Sequence, residues 1–306
     1  NNNMVSVNII DRRGNFLAQN LNVVKSRGSS YTLDDLRNAL YSVKKMDKNR
    51  MFFYSMKGGK RSKGLRPGDI TINEGDEFEF KKLGIQIGYR TVFYIEYFVP
   101  MVAFPIIYLL RNYIYPGYQS QPLTTVQWIH FWIHTLHFVK RELESMFVHK
   151  FSNGTMPLMN VFKNSSYYWG YAFLCGYFVL APYYSSPSLR STVFFAILFL
   201  ICMFCNGYCH YILANLRKPG DKNKYIPRGF AFEYVTCPNY SFEILAWILY
   251  FFQTRSFMVL AFALTGAGQM FVWAKGKHIN LKKLFNGENG KEKYPRNRKI
   301  LIPFVV

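Results

Sequence analysis

The sequence predicts a mainly helical, polytopic membrane bundle of six or seven spans over residues 85–306, preceded by a soluble α+β domain over residues 1–84. Two observations carry this reading. Apolar runs recur at 91–110, 124–139, 167–182, 191–213, 242–253 and 256–274, and several approach the ~20 residues that a spanning helix needs. The chain is 50% hydrophobic yet carries a net charge of +21, and the two are segregated along it. A soluble chain this basic would point to nucleic acid; the segregation excludes that class.

The N-terminal elements follow in order. Val5, Val7 and Ile9 alternate as a strand does, Arg13-Gly14-Asn15 makes a turn, and Leu21 and Val23 mark a second strand. Thr32 is placed to cap a helix from Leu33 to about Lys45, with Asp34 and Asp35 in its favourable first turn. Met51-Phe52-Phe53-Tyr54 reads as a strand and Lys57-Gly58-Gly59-Lys60 as a basic turn. Ile70-Thr71-Ile72 and Glu77-Phe78-Glu79-Phe80 are expected to finish the sheet. No residues in this domain are arranged for chemistry, so it reads as a docking module. Residues 1–90 contain no apolar stretch of the signal-peptide kind.

The six runs are taken as spans, with 242–253 short enough to suggest a tilted or hairpin arrangement with its successor. With the N-terminus in the cytosol, only Arg111, Arg190 and Arg255 of the 38 Lys and Arg fall in lumenal loops. That asymmetry matches the positive-inside rule and puts both termini, and the motifs, on the cytosolic side. The sequons at Asn153, Asn164 and Asn239 are then expected to be unused. Cys202, Cys205 and Cys209 share a helix face without a fourth ligand at usable spacing, and read as small core hydrophobes.

Four constellations could carry chemistry. In His137-Phe138-Val139-Lys140-Arg141-Glu142-Leu143-Glu144, the residues His137, Lys140, Arg141 and Glu144 share one helical face. Read alone, this is also what a membrane-exit helix with snorkelling cations and a Lys140–Glu144 pair looks like. Asn206 and His210, four apart, lead into Leu216-Arg217-Lys218-Pro219-Gly220 and Tyr225-Ile226-Pro227, a basic loop that the positive-inside rule alone would also produce. Cys237-Pro238-Asn239-Tyr240-Ser241-Phe242-Glu243 opens an apolar segment, with Asn239 and Glu243 one turn apart. Lys277-His278 and Arg298 follow near the end. Polar groups at the edge of hydrocarbon are costly and mark functional sites by default, although a Tyr at the interface is also a common structural feature.

Taken together, these motifs resemble the steroid 5α-reductase superfamily, and within it the trans-2-enoyl-CoA reductase branch that serves very-long-chain fatty acid elongation. His-x-x-Lys-Arg followed by Gly154-Thr155-Met156-Pro157, Leu-Arg-Lys-Pro-Gly followed by Ile-Pro, and the Asn239–Glu243 opening all agree in order. The resemblance covers nearly the whole chain and implies a ubiquitin-like fold for residues 1–84. It implies reduction of a long-chain trans-2-enoyl-CoA to the saturated acyl-CoA by NADPH at the endoplasmic reticulum membrane, alongside other elongation enzymes. It places Asn206, His210, Arg217, Tyr225, Asn239, Glu243, Lys277, His278 and Arg298 at the cofactor, and Glu96 and His137 at the substrate. Tyr240 is assigned as acid, with Lys140 as its electrostatic partner. Three departures stand out: Phe138 replaces a superfamily Tyr, His210 a frequent Asp, and Leu281-Lys282-Lys283 a Tyr-Leu-Lys. The rival readings are a reductase of another enone lipid, such as a steroid or polyprenol, and a non-catalytic membrane adaptor.

Overall fold

The computed structural model describes residues 3–26, 30–65, 69–118, 121–150, 154–216, 224–288, 290 and 292–303. The chain divides into two compact units, Asn1–Tyr89 with Phe151–Val161, and Arg90–Lys150 with Phe162–Val306.

In the first unit, β1 (Met4–Ile10) and β2 (Phe16–Val24) form an antiparallel hairpin, and α1 (Leu33–Lys44) follows the short β3 (Tyr31–Thr32). Then come β4 (Met51–Lys57), β5 (Lys60–Gly64), β6 (Asp69–Ile70) and β7 (Glu77–Lys82). The five-stranded sheet runs β2-β1-β7-β4-β5, with β1 and β7 parallel at its centre. Val7, Ile9, Leu36, Leu40, Met51, Phe53 and Phe78 are buried where α1 covers this sheet. Thr32 caps α1 in a full capping box with Asp35, which satisfies backbone donors left open at a helix start.

Two strands differ from the sequence reading. Lys60–Gly64 is a strand where the sequence reading placed only a turn ending at Lys60; as the outer strand of the sheet it needs no apolar alternation, and its charges suit an edge. Ile70 does not join the main sheet but pairs with Tyr31 in a separate ladder. A third ladder joins β8 (Gln86–Gly88) to β9 (Thr155–Pro157), so the Thr-Met-Pro motif serves strand pairing, with Tyr89 N–H donating to the Gly154 carbonyl.

The second unit is helical: α2 (Tyr89–Leu109), α3 (Arg111–Ile114), α4 (Thr125–Leu143), α5 (Met159–Val179), α6 (Leu189–Asn215), α7 (Pro238–Thr254) and α8 (Phe257–Leu284). A π-helical turn, Glu144–Val148, extends α4. Each apolar run falls largely on one of these helices, but among the described residues only α2, α6 and α8 are long and apolar enough to cross a membrane by length and composition. The physical reason lies in the polar groups of the others. α4 carries His130, His134 and His137, all buried, and α7 has only 17 residues with Asn239, Glu243 and Gln253 among them. The helix over the third run starts at Met159, eight residues before the run itself, because polar Asn160, Lys163 and Asn164 extend it. Phe104, Phe131, Phe138, Phe199, Trp247, Tyr250 and Phe262 form an aromatic core. α7 and α8 turn at Arg255, whose φ of 50° reverses the chain.

Candidate active site

Four helix ends meet at one place in the second unit: the C-terminal ends of α4 and α6, the N-terminal end of α7 and the C-terminal half of α8. Lys140 Nζ donates to Asn206 Oδ1 at 2.5 Å and pairs with Glu144 Oε1 at 2.7 Å. The other Glu144 oxygen faces Arg141 Nη1 at 2.8 Å and His210 Nδ1 at 3.0 Å. Arg141 also donates to the Tyr97 hydroxyl at 2.9 Å. One carboxylate thus organises two cations and a histidine from two helices. Burial by itself would raise the Glu144 carboxyl; the His210 hydrogen bond and charge, then Arg141 and Lys140, outweigh it and hold the group far below the usual carboxylate range. The helices approach closely because residue 207 is Gly: a Cβ there would lie 3.3 Å from Lys140 Cε and 3.4 Å from Glu144 Oε1.

A second carboxylate joins the same end of the unit. Glu243 Oε1 accepts from His137 Nε2 at 3.1 Å and from Trp247 Nε1 at 3.0 Å. Asn206 bridges the two groups, accepting from Lys140 and donating through Nδ2 to the Asn239 carbonyl at 2.8 Å. Two carboxylates offset two cations, which is how ion clusters survive burial. Glu144, His149 and His210 present donor atoms within 4.8 Å of one another, a grouping that metals use. Both Glu144 oxygens, however, already face cations or His210. Burial, reinforced by the Arg141 charge, pushes His149 down to about 3, so its imidazole is neutral.

Tyr240 sits one residue beyond Asn239 and finds a different cation from the one expected. Lys277 Nζ donates to the Tyr240 hydroxyl at 3.0 Å and lies 4.6 Å from its ring centroid. Lys140, the partner assigned from sequence, is instead held by Glu144 and Asn206. The antiparallel packing of α7 and α8 brings Lys277 to Tyr240 across 37 residues, a register that no local spacing displays.

Residues 154–306, half of the chain, match the family described as 3-oxo-5-alpha-steroid 4-dehydrogenase. The chain belongs to this family. Among its relatives, a very-long-chain enoyl-CoA reductase of Dictyostelium discoideum is 44% identical over 227 residues, covering 74% of this chain and 73% of that protein. A putative enoyl reductase of Schizosaccharomyces pombe is 37% identical and covers 90% of this chain and 92% of its own. A probable very-long-chain enoyl-CoA reductase of Caenorhabditis elegans is 38% identical, covering 74% of each chain.

The remaining sequence-assigned residues of this family member fall as follows. Arg298 is 2% exposed; Nη1 donates to the Pro227 carbonyl at 3.0 Å, Nη2 lies 3.6 Å from Glu233, and Nε and Nη2 make no hydrogen bond among the described residues. His278 contacts Thr236 through Nδ1 at 2.6 Å. Tyr225 is exposed, and Arg217 lies outside the described residues. Glu96 is 2% exposed, as its place in an apolar run required, and accepts from Asn164 Nδ2 at 2.6 Å. Sequence reasoning missed Trp247, Gly207 and Thr236; it placed Glu144 on one helical face with His137, Lys140 and Arg141 but not its bond to His210. The i, i+3 and i, i+4 spacings of Glu144 to Arg141 and Lys140 were the available signal.

Proposed function

We propose that this chain reduces a long-chain trans-2-enoyl-CoA to the saturated acyl-CoA with NADPH, the last step of the very-long-chain fatty acid elongation cycle. The observation that carries the reading is the Tyr240–Lys277 pair, a phenol whose oxygen accepts from a cation beside a buried polar cluster, in a chain whose relatives bear enoyl-CoA reductase names. The residues present fit the cofactor. Among the described residues Arg298 keeps buried N–H donors without hydrogen bonds, and a buried guanidinium with such donors suits a phosphate oxygen. Arg298 and Lys277 would hold the anionic parts of NADPH, and Asn206, His210, Asn239 and Glu243 would lie toward its nicotinamide end. Arg217 and Tyr225 belong to the same proposed cofactor set.

When bound, NADPH supplies a hydride to C3 of the enoyl thioester. Charge then gathers on the thioester oxygen, and C2 requires a proton. Because Lys277 donates to the Tyr240 oxygen, the Tyr240 proton is directed away from it, toward the reacting atoms. After transfer, the ammonium offsets the phenolate charge, and exposed Lys277 connects the pair to solvent for reprotonation. The Glu243–His137–Trp247 bonds and the Asn206–Asn239 bond hold the first turns of α7, and so Tyr240, against α4 and α6. Lys140 contributes through this frame, and Glu96 and His137 flank the acyl chain.

In this reading the first unit is a ubiquitin-like docking domain for elongation partners, supported by its central parallel pair, β1 with β7. The Lys and Arg asymmetry supports cytosolic termini, the apolar runs support six spans, and the endoplasmic reticulum location is what the resemblance implies. Both polyanionic substrates then approach from the basic face. A second reading, reduction of a steroid enone, rests on the family's description. NADPH oxidation by the detergent-solubilised chain separates the two. A long trans-2-enoyl-CoA is expected to drive oxidation and a steroid enone is not; the reverse would overturn the proposal in favour of the second reading.

A further inference from the structure

The Thr236 hydroxyl is the hub of a buried junction. Its Oγ1 lies 2.6 Å from His278 Nδ1 of α8, 2.8 Å from the Tyr294 hydroxyl and 3.0 Å from the Lys299 carbonyl oxygen. A threonine hydroxyl has one proton to give and two lone pairs. The Lys299 carbonyl can only accept, so Oγ1 donates there. The other two contacts are then bonds only if Tyr294 O–H and His278 Nδ1–H both donate to Oγ1. This fixes the His278 tautomer: Nδ1 carries a proton, and Nε2 faces away from the junction.

The junction reaches two residues assigned to the cofactor, Arg298 and His278. The Tyr294 ring lies 5.3 Å under the Arg298 guanidinium and 5.6 Å from the His278 ring. The backbone ties of the same segment run Lys299 N–H to the Tyr234 carbonyl at 2.9 Å and Thr236 N–H to the Lys299 carbonyl at 2.8 Å. Cys237 N–H donates to the Ile300 carbonyl at 3.2 Å. Ser241 Oγ adds a bond to the Leu301 carbonyl at 2.5 Å. The segment 294–301 is thus strapped to the residues that lead into α7 and to its first turn, Thr236 lying three residues before Asn239 and four before Tyr240. The Thr236 hydroxyl acts with these bonds to tie His278, Tyr294 and the segment that carries Arg298 to the start of α7.

We propose that Thr236 is the positioning residue that fixes the pose of Arg298 and His278 toward the phosphates of the cofactor, an inference that rests on the NADPH reading above. The test compares Thr236→Val, which keeps the shape and removes the hydroxyl, with Thr236→Ser, which restores it. NADP+ binding to the full detergent-solubilised chain is measured by titration calorimetry, and amide exchange at Thr236, Cys237 and Lys299 is followed without ligand. Thr236→Val is expected to weaken NADP+ by about tenfold, the scale of one or two hydrogen bonds. It should raise the KM for NADPH while leaving that for enoyl-CoA within about twofold, and speed exchange at the three amides. Thr236→Ser should recover all of these. If Thr236→Val does not fold, Tyr294→Phe, which removes one donor to the hub, should show the same changes in smaller measure. Wild-type NADP+ affinity and exchange in Thr236→Val, or in Tyr294→Phe where that variant decides, would overturn the proposal, as would equal losses for both substrates. A wild-type chain that binds no NADP+ sinks the cofactor reading instead, and the exchange arm still decides whether Thr236 holds the strap.

Discussion

At the scale of single residues, the structure separates two lysines by the groups that hold them. Lys140 spends its donors on Glu144 and Asn206, whereas Lys277 is an exposed cation aimed at the Tyr240 oxygen. Tyr240→Phe is therefore expected to lower turnover by ~10²-fold with little change in cofactor affinity, the range for loss of a general acid. Lys277→Met should lower turnover to a similar degree and also weaken NADPH, since the same ammonium is assigned to the anionic parts of the cofactor; at saturating NADPH the double variant should be little worse than either, since groups acting as a unit are non-additive. Near-normal turnover in a folded, NADPH-binding Tyr240→Phe protein removes Tyr240 from the mechanism. Glu144 makes a different forecast. Its folded pKa lies below the unfolded value of about 4.3. Its contribution to stability is accordingly full above that pH and lost as pH falls through the folded value. Glu144→Gln leaves Lys140 and Arg141 short of a counter-charge and should destabilise by about 3–5 kcal/mol near neutrality. Thermal melts of the two proteins, run from neutral pH downward, should converge in acid; a gap that stays constant with pH would rule out the ionic account.

At the scale of elements, α1 and α7 show two ways to start a helix. α1 is capped locally, with Thr32 and Asp35 bonding each other's backbone N–H groups. Thr32→Ala should cost roughly 0.5–2 kcal/mol, read as faster amide exchange through α1 while the helical unit keeps its activity. Loss of activity in parallel with α1 opening would tie catalysis to this helix. α7 has Pro238 at its first position and no side-chain cap; distant groups fasten it instead, through Asn206, Thr236 and Ser241. Local caps are written in neighbouring residues and were legible in the sequence. The fastening of α7 was not, because its partners lie 33 or more residues away.

At the scale of the whole molecule, the polar chemistry gathers where α4, α6, α7 and α8 meet, and Arg111, Arg190 and Arg255 lie in or beside the turns at the other helix ends. The topology this implies is open to a direct check. In sealed microsomes, a cysteine placed by Gly59→Cys should react with an impermeant maleimide, and one placed by Arg255→Cys should react only after permeabilisation. Labelling of the Arg255 position in intact vesicles would overturn the six-span orientation. Glycosylation at Asn164 would do so too, and it would also break that residue's bond to Glu96.

The apolar runs, the Lys and Arg bias, the capping signals and the order of the motifs were determined by the sequence alone. Each depends on spacing within a turn or on composition along a segment, and both survive without coordinates. The tertiary structure decided what each polar group faces. It gave Tyr240 to Lys277 rather than Lys140, made Glu144 the anchor of Lys140, Arg141 and His210, and brought Thr236 against His278 and Tyr294. It also placed Lys60–Gly64 in the sheet and withdrew Ile70 from it. Helix registry and strand pairing are set by the sum of many apolar contacts across the core, so a partner 37 residues distant leaves no local mark.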